Sequence, residues 1–300
     1  MSHYRGRFAP TPSGPLHFGS LVAALASFLD ARHAGGEWWL RIEDIDPPRC
    51  PPGAADEIQR QLEAFGLHWD GPVLWQHGRD GAYQAALDRL IALGLAYPCS
   101  CSRKQWRDSP IYPGWCREGV REPANPLAWR LRSDLGLRPV VWQDRLFGEQ
   151  RFDPATLGDV VLKRKDGLWA YQLAVVVDDA ELQISDVVRG FDLLDNTPWQ
   201  RQLQDALGVP EPRYLHLPLI IGEGGQKLSK QNLAPALPTD DDAVRPLLHA
   251  ALAALDQSPP ADLTGAPVAE LLAWGIAHWE VSRIRPEPHR TTEGDALPPD

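Results

Sequence analysis

The feature that most constrains this chain is a strand that runs into a cluster of breakers and leaves it as a helix. Arg7-Phe8-Ala9 reads as a short strand, and Pro10, Pro12, Gly14 and Pro15 then forbid regular structure. Over 17–34 the residues Leu21, Leu25, Phe28 and Leu29 fall on one helical face. A second strand follows at Trp38-Trp39-Leu40-Arg41-Ile42, with helices expected at about 54–65 and 83–93. Strands that alternate with helices need crossover connections, so the expected class is α/β with a parallel sheet.

Residues 95–165 break this rhythm with cysteines, arginines and short β-like runs, and they read as an insertion. Strands are expected again at 169–177, 183–188 and 214–221, with a helix at 197–207. After Lys230 the chain turns helical and Pro-rich, and its end is expected to be disordered. At 300 residues and 43% apolar, the chain can build a sizeable core and more than one domain. No apolar run approaches the length of a membrane span, and Met1-Ser2-His3-Tyr4-Arg5 has no signal-like apolar core. The expectation is a cytoplasmic monomer with no membrane partner.

A net charge of −10 argues against a nucleic-acid partner until its distribution is considered. Residues 231–300 hold 4 basic and 11 acidic residues, whereas 101–165 hold 13 basic and 8 acidic. The basic middle is either a phosphate-binding face or a solvated surface.

Two segments suit phosphate chemistry. In Pro10-Thr11-Pro12-Ser13-Gly14-Pro15-Leu16-His17-Phe18-Gly19-Ser20, a glycine permits close backbone approach, and the helix N-terminus offers free N–H groups. His17 there either binds phosphate oxygens or merely caps the turn. Lys227-Leu228-Ser229-Lys230-Gln231 follows the Gly-rich Gly222-Glu223-Gly224-Gly225 and suits a leaving pyrophosphate, or else is a solvated loop. Cys99, Cys101 and Cys116 lie within 18 residues and supply soft thiolates for one structural zinc ion. Residue spacing leaves the fourth ligand open: no histidine lies between 78 and 215, and Cys50 sits on another loop.

With these residues the sequence resembles the class I aminoacyl-tRNA synthetases, whose signatures are His-Ile-Gly-His and Lys-Met-Ser-Lys-Ser. His17-Phe18-Gly19-Ser20 and Lys227-Leu228-Ser229-Lys230-Gln231 stand in their places, with Ser20 for the second histidine and Gln231 for the last serine. The resemblance implies a Rossmann-like nucleotide-binding domain in which His17, Gly19, Ser20, Lys227 and Lys230 meet ATP, taken up with Mg2+. Gly6-Arg7-Phe8-Ala9-Pro10-Thr11 and Leu40-Arg41-Ile42-Glu43-Asp44-Ile45-Asp46 look like the glutamyl branch. It follows by resemblance that Arg7, assisted by Arg189, holds the side-chain carboxylate of L-glutamate and Glu43 its amino group. Tyr171 would line the pocket, with the backbone of Ala9 and Thr11 facing the substrate. Glu43, Asp44 and Asp46 are alternatively a magnesium cluster. Tyr112 is implied as the fourth zinc ligand.

Residues 231–300 are too few and too acidic for the long helical anticodon reader of a full glutamyl-tRNA synthetase. In this respect, and in Lys-Leu-Ser-Lys-Gln followed by Asn232-Leu233-Ala234-Pro235, the chain is similar to the truncated glutamyl-queuosine tRNA(Asp) synthetases. That branch implies transfer of glutamate to queuosine in the anticodon loop of tRNA(Asp). The alternatives are a shortened enzyme that charges tRNA(Glu), a different ATP-dependent ligase, or an idle RNA-binding relative. The expected organisation is a first catalytic half at 1–94 and a zinc-bearing acceptor-binding insertion at 95–165. A second catalytic half at 166–238 and a short helical tail at 239–300 complete it.

Overall fold

The structure is a computed structural model and describes residues 3–134, 139–221 and 235–291. Strand β1 (Arg5–Phe8) leads into helix α1 (Phe18–His33), and β2 (Glu37–Ile42) returns parallel to β1, with Arg7 opposite Trp39. Helix α2 (Ala54–Ala64) connects to the short β3 (Leu74–Trp75), which is parallel to β2. Helix α3 (Asp80–Ala92) follows.

Within 95–165 the chain serves two sheets. Strands β4 (Ala96–Cys99), β5 (Ala128–Leu131) and β8 (Val161–Lys163) form a small antiparallel sheet. Between β5 and β8 lie β6 (Val140–Asp144), its hairpin partner β7 (Gly148–Phe152) and the short helix α4 (Pro154–Leu157). β6 leaves the insertion and pairs with a strand of the second catalytic half. That half comprises α5 (Tyr171–Glu181), β9 (Asp186–Gly190), α6 (Thr197–Leu207) and β10 (Arg213–Leu217). β10 lies between β9 and β6, parallel to both. The Ser185 amide donates to the Arg5 carbonyl at 2.9 Å and ties the root of β9 to that of β1.

The strand expected at 169–177 is instead helix α5. Leu173, Ala174, Val175 and Val176 are all buried, so the segment lacks the one-sided apolar period that identifies a surface helix. Its valines imitate a buried strand. The strand expected at 214–221 is split at Pro218 into β10 and β11 (Leu219–Ile221). The tail provides α7 (Asp241–Ala254) and α8 (Val268–His278), whose leucines join the core around α1, β1 and β2. It also provides a strand, β12 (His289–Thr291), which pairs parallel with β11 where an unstructured end was expected. The buried Arg290 fixes β12 by donating to the Ala254 carbonyl and to Asp256.

Candidate active site

A cavity of about 1130 Å3 opens beyond the carboxyl ends of β1, β2, β9 and β10. It lies where the sheet order turns between β1 and β9, the place at which open α/β sheets bind ligands. Its lining includes Arg7, Ala9, Thr11, His17, Gly19, Ser20, Glu43, Tyr171 and Arg189. These expected residues, scattered over much of the sequence, therefore share one chamber. Lys227 and Lys230 lie outside the described residues.

At one end of the chamber Arg7 is buried and gives its Nε–H to Asp179 Oδ1 at 3.2 Å. The same oxygen accepts from Arg41 Nη1 at 2.5 Å. Arg41 is fully buried and turns its other edge to Glu43 Oε1, with Nη2 at 3.1 Å and Nε at 3.4 Å. Asp179 and Glu43 thus share one cation. Burial works against the charge on Asp179, but Arg41 and Arg7 together outweigh it and hold its carboxyl below the usual range. For Glu43 burial prevails over Arg41 and Arg7, and its carboxyl is raised above that range. Glu43 Oε2 and the Arg7 Nη groups have no hydrogen-bond partner among the described residues. Tyr171 lies beside them, its phenol pushed up by burial.

Arg189 is placed differently. Its Nε–H meets His216 Nε2 at 3.1 Å, and Nη1 reaches Gln200 Oε1 at 2.8 Å. Nη2 reaches Thr197 Oγ1 at 2.8 Å and the Leu193 carbonyl at 3.3 Å. Four of its N–H groups therefore point into protein, which leaves Arg7 as the guanidinium open for a bidentate contact. Sheet register explains the arrangement: Arg189 of β9 is opposite His216 of β10, and Asp144 ends the neighbouring β6. His216 Nδ1 lies 2.6 Å from Asp144 Oδ2. Burial, the largest influence, lowers the His216 pKa despite that carboxylate.

At the other end His17 caps α1, its Nδ1 accepting the Ser20 N–H at 3.3 Å. Capping and phosphate binding are compatible, because this bond uses one ring nitrogen. The magnesium-cluster alternative finds no support. Asp44 accepts from the His77 amide at 2.9 Å, Asp46 pairs with Arg49 and Arg164 at 3.1 Å each, and Glu43 faces Arg41. Arg41, Asp179, His216, Asp144, Gln172 and Gln200 were not foreseen. The only hint was Asp178-Asp179 at the end of an apolar run, two carboxylates that could be buried only with cations beside them.

Away from the cavity, the Sγ atoms of Cys99, Cys101 and Cys116 all lie within 4.8 Å of one another, and all three residues are buried. Cys50 does not belong to this group, which is the one possible metal cluster of its kind among the described residues. The Tyr112 hydroxyl sits 3.3 Å from Cys99 Sγ and 3.4 Å from Cys101 Sγ, and the Cys101 and Cys116 sulfurs are 3.6 Å apart. Zn–S bonds of about 2.3 Å in a tetrahedron place sulfurs roughly 3.7 Å apart, so the donor set fits zinc. Burial raises the Cys116 thiol, but hydrogen bonds from the backbone at Arg121 and Ser100 and from Tyr112 and Cys101 bring it to about 6.

Comparison with known proteins agrees with this site. The family model described as tRNA synthetases class I (E and Q), catalytic domain, matches residues 3–110 and 117–253. A glutamyl-Q tRNA(Asp) synthetase from Thiobacillus denitrificans is 55% identical over 94% of this chain and 95% of its own length. One from Chromobacterium violaceum is 54% identical over 94% of this chain and 95% of its own. Among solved structures, a glutamate-tRNA synthetase from Elizabethkingia anophelis superposes with a TM-score of 0.82 at 24% identity, over 98% of this chain and 69% of that one. That likeness speaks for the fold, while the closer sequences and the family model speak for kinship. The chain belongs to the glutamyl-Q tRNA(Asp) synthetase family, ligases built on the class I synthetase catalytic domain.

Proposed function

We propose that this chain uses ATP to convert L-glutamate to glutamyl-adenylate and passes the glutamyl group to queuosine in the anticodon loop of tRNA(Asp). The observation that carries the reading is one cavity in which Arg7 offers open Nη donors and Glu43 an open Oε2 acceptor. A free glutamate complements both, its side-chain carboxylate meeting Arg7 and its ammonium meeting Glu43. Glu43 has only a share of Arg41, so a bound ammonium would supply the positive charge that its buried carboxyl lacks.

The substrate α-carboxylate, directed toward His17, attacks the α-phosphorus of ATP. The bond to the bridging oxygen breaks and pyrophosphate leaves. No protein nucleophile is needed; the chain positions the reactants and stabilises charge. With Nδ1 accepting from Ser20, His17 carries its proton on Nε2 and can donate it to a phosphate oxygen. By resemblance Lys227 and Lys230 meet the leaving pyrophosphate, with Mg2+ accompanying ATP. In the second step an acceptor hydroxyl attacks the activated carbonyl and AMP leaves. The cyclopentenediol of queuosine imitates the ribose diol of a tRNA 3′ end, so a site built for one diol can receive the other. Relatives named for tRNA(Asp) at 54–55% identity support this acceptor. Cys99, Cys101, Cys116 and Tyr112 would hold one structural zinc ion that shapes the small antiparallel sheet.

The test is transfer of labelled glutamate to queuosine-containing tRNA(Asp) whose 3′ end has been trimmed, beside unmodified tRNA(Asp) and intact tRNA(Glu). We expect label on the trimmed, modified tRNA alone. Label only on intact tRNA(Glu) would make this an ordinary charging enzyme, and no adenylation would make it an idle relative.

A further inference from the structure

A line of side-chain hydrogen bonds leaves Arg189 in the opposite direction to His216 and returns to the cavity. Arg189 Nη1 donates to Gln200 Oε1 at 2.8 Å. Gln200 Nε2 donates to Gln172 Oε1 at 3.0 Å, and Gln172 Nε2 donates to Asn196 Oδ1. The two glutamines are buried, and Asn196 lines the cavity.

The polarity of this line is forced. A guanidinium can only donate, so Gln200 must present its oxygen to Arg189 and its NH2 to Gln172. Gln172 must then present its oxygen to Gln200 and its NH2 to Asn196, which accepts through Oδ1. Every amide is thereby oriented by the cation at the start, with no freedom to flip. What remains is the Asn196 Nδ2 group, with no hydrogen-bond partner among the described residues. A second observation agrees. Asn196 occupies the N-cap position of α6, where an asparagine normally accepts a backbone N–H, yet its side chain makes no capping bond.

We infer that Asn196 is a specificity-determining residue: its Nδ2 donates to a carboxylate oxygen of the bound amino acid, and Gln172 and Gln200 are positioning residues that keep that donor facing the cavity. This rests on the proposed amino-acid site and adds a neutral donor to the charged contacts of Arg7. The line also explains why Arg189 is tied into protein: it orients the amides rather than serving as a second open fork. At the far end of the line, His216 Nε2 accepts from Arg189 and His216 Nδ1 faces Asp144.

The experiment is pyrophosphate exchange with glutamate and with glutamine, on the full chain, for the wild type, Asn196→Ala and Gln200→Glu. Asn196 is partly exposed, so its truncation should leave the melting temperature and the KM for ATP unmoved. Loss of a donor to a charged oxygen should raise the KM for glutamate about tenfold or more. Gln200→Glu still accepts from Arg189 but cannot donate, so Gln172 and Asn196 turn over and Asn196 presents its oxygen to the cavity. We expect that variant to lose selectivity for glutamate over glutamine, which carries an NH2 at that end, while Gln200→Ala changes selectivity less. A KM for glutamate within about twofold of wild type in Asn196→Ala, or unchanged selectivity in folded Gln200→Glu, overturns the inference. A wild type that exchanges with no amino acid overturns the reading of the site, and this inference with it.

Discussion

Glu43 and Arg7 are the two residues whose open atoms define the substrate, and each is held by a neighbour that resemblance did not single out. Asp179 pins Arg7 by Nε and leaves its Nη groups to the cavity; Arg41 occupies one oxygen of Glu43 and leaves the other. The charged groups around Glu43 are Arg41, Arg7 and Asp179, and burial prevails among them to raise its pKa. As pH falls through that raised value, Glu43 takes up a proton and ceases to attract an ammonium. The KM for glutamate should therefore rise on the acid side at a pH above the ordinary carboxylate range, and Glu43→Gln should abolish this limb. Glu43→Gln should also raise that KM by about 10- to 100-fold at neutral pH, since a hydrogen bond between charged groups contributes about 1.5–3 kcal/mol. Initial rates of pyrophosphate exchange across pH check both; a pH-independent KM in the wild type would contradict the assignment. Arg7, Glu43, Tyr171 and Arg189 were legible because the motifs around them are. That Arg189 is engaged by four bonds was not, since it depends on strands far apart in sequence.

Helix α5 shows what an element can hide. Its run Tyr171-Gln172-Leu173-Ala174-Val175-Val176-Val177 reads as a strand because β-branched residues favour strands and burial on nearly every side erases the helical period. As a helix it performs two tasks that a strand could not combine. Its first turn brings Tyr171 and Gln172 to the cavity, and its last brings Asp178 and Asp179 beneath the arginines. Asp178 accepts from Arg79 at 2.6 Å and from Tyr83 and Gln76, so the C-terminal end of α5 is buried with its charges paired. We expect Asp179→Ala to destabilise the protein by about 3–5 kcal/mol, because it leaves Arg7 and Arg41 buried without their shared partner. Chemical denaturation measures this. A loss below about 1 kcal/mol would mean that the arginines find other partners. Helix α6, by contrast, was legible to the residue: Thr197-Pro198 opens it and Gly208, at φ 60°, closes it with a left-handed cap.

Across the whole molecule, the two catalytic halves meet where β1 and β9 are joined, and the cavity lies at that seam. The antiparallel sheet of β4, β5 and β8 carries the cysteine cluster away from the chamber, with Tyr97, Tyr112 and partly buried Trp106 packed around it. Zinc there would replace a hydrophobic core that so small a sheet lacks. Freshly purified protein should contain about one equivalent of zinc, and chelation should lower its melting temperature while adenylation suffers less than transfer. Metal analysis with paired exchange and transfer assays checks this; well under one equivalent would remove the metal. Local sequence determined the elements whose signals are local: the breaker loop before α1, the cap at His17, α6 and the cysteine spacing. Backbone sterics and short-range hydrogen bonding act over a few residues, so these features can be read from a few residues. Tertiary structure alone decided that 169–177 coils, that β6 leaves the insertion for the central sheet, and that the tail returns as β12. It also decided how the buried charges pair, because the free energy of a buried ion depends on which partner the fold places beside it.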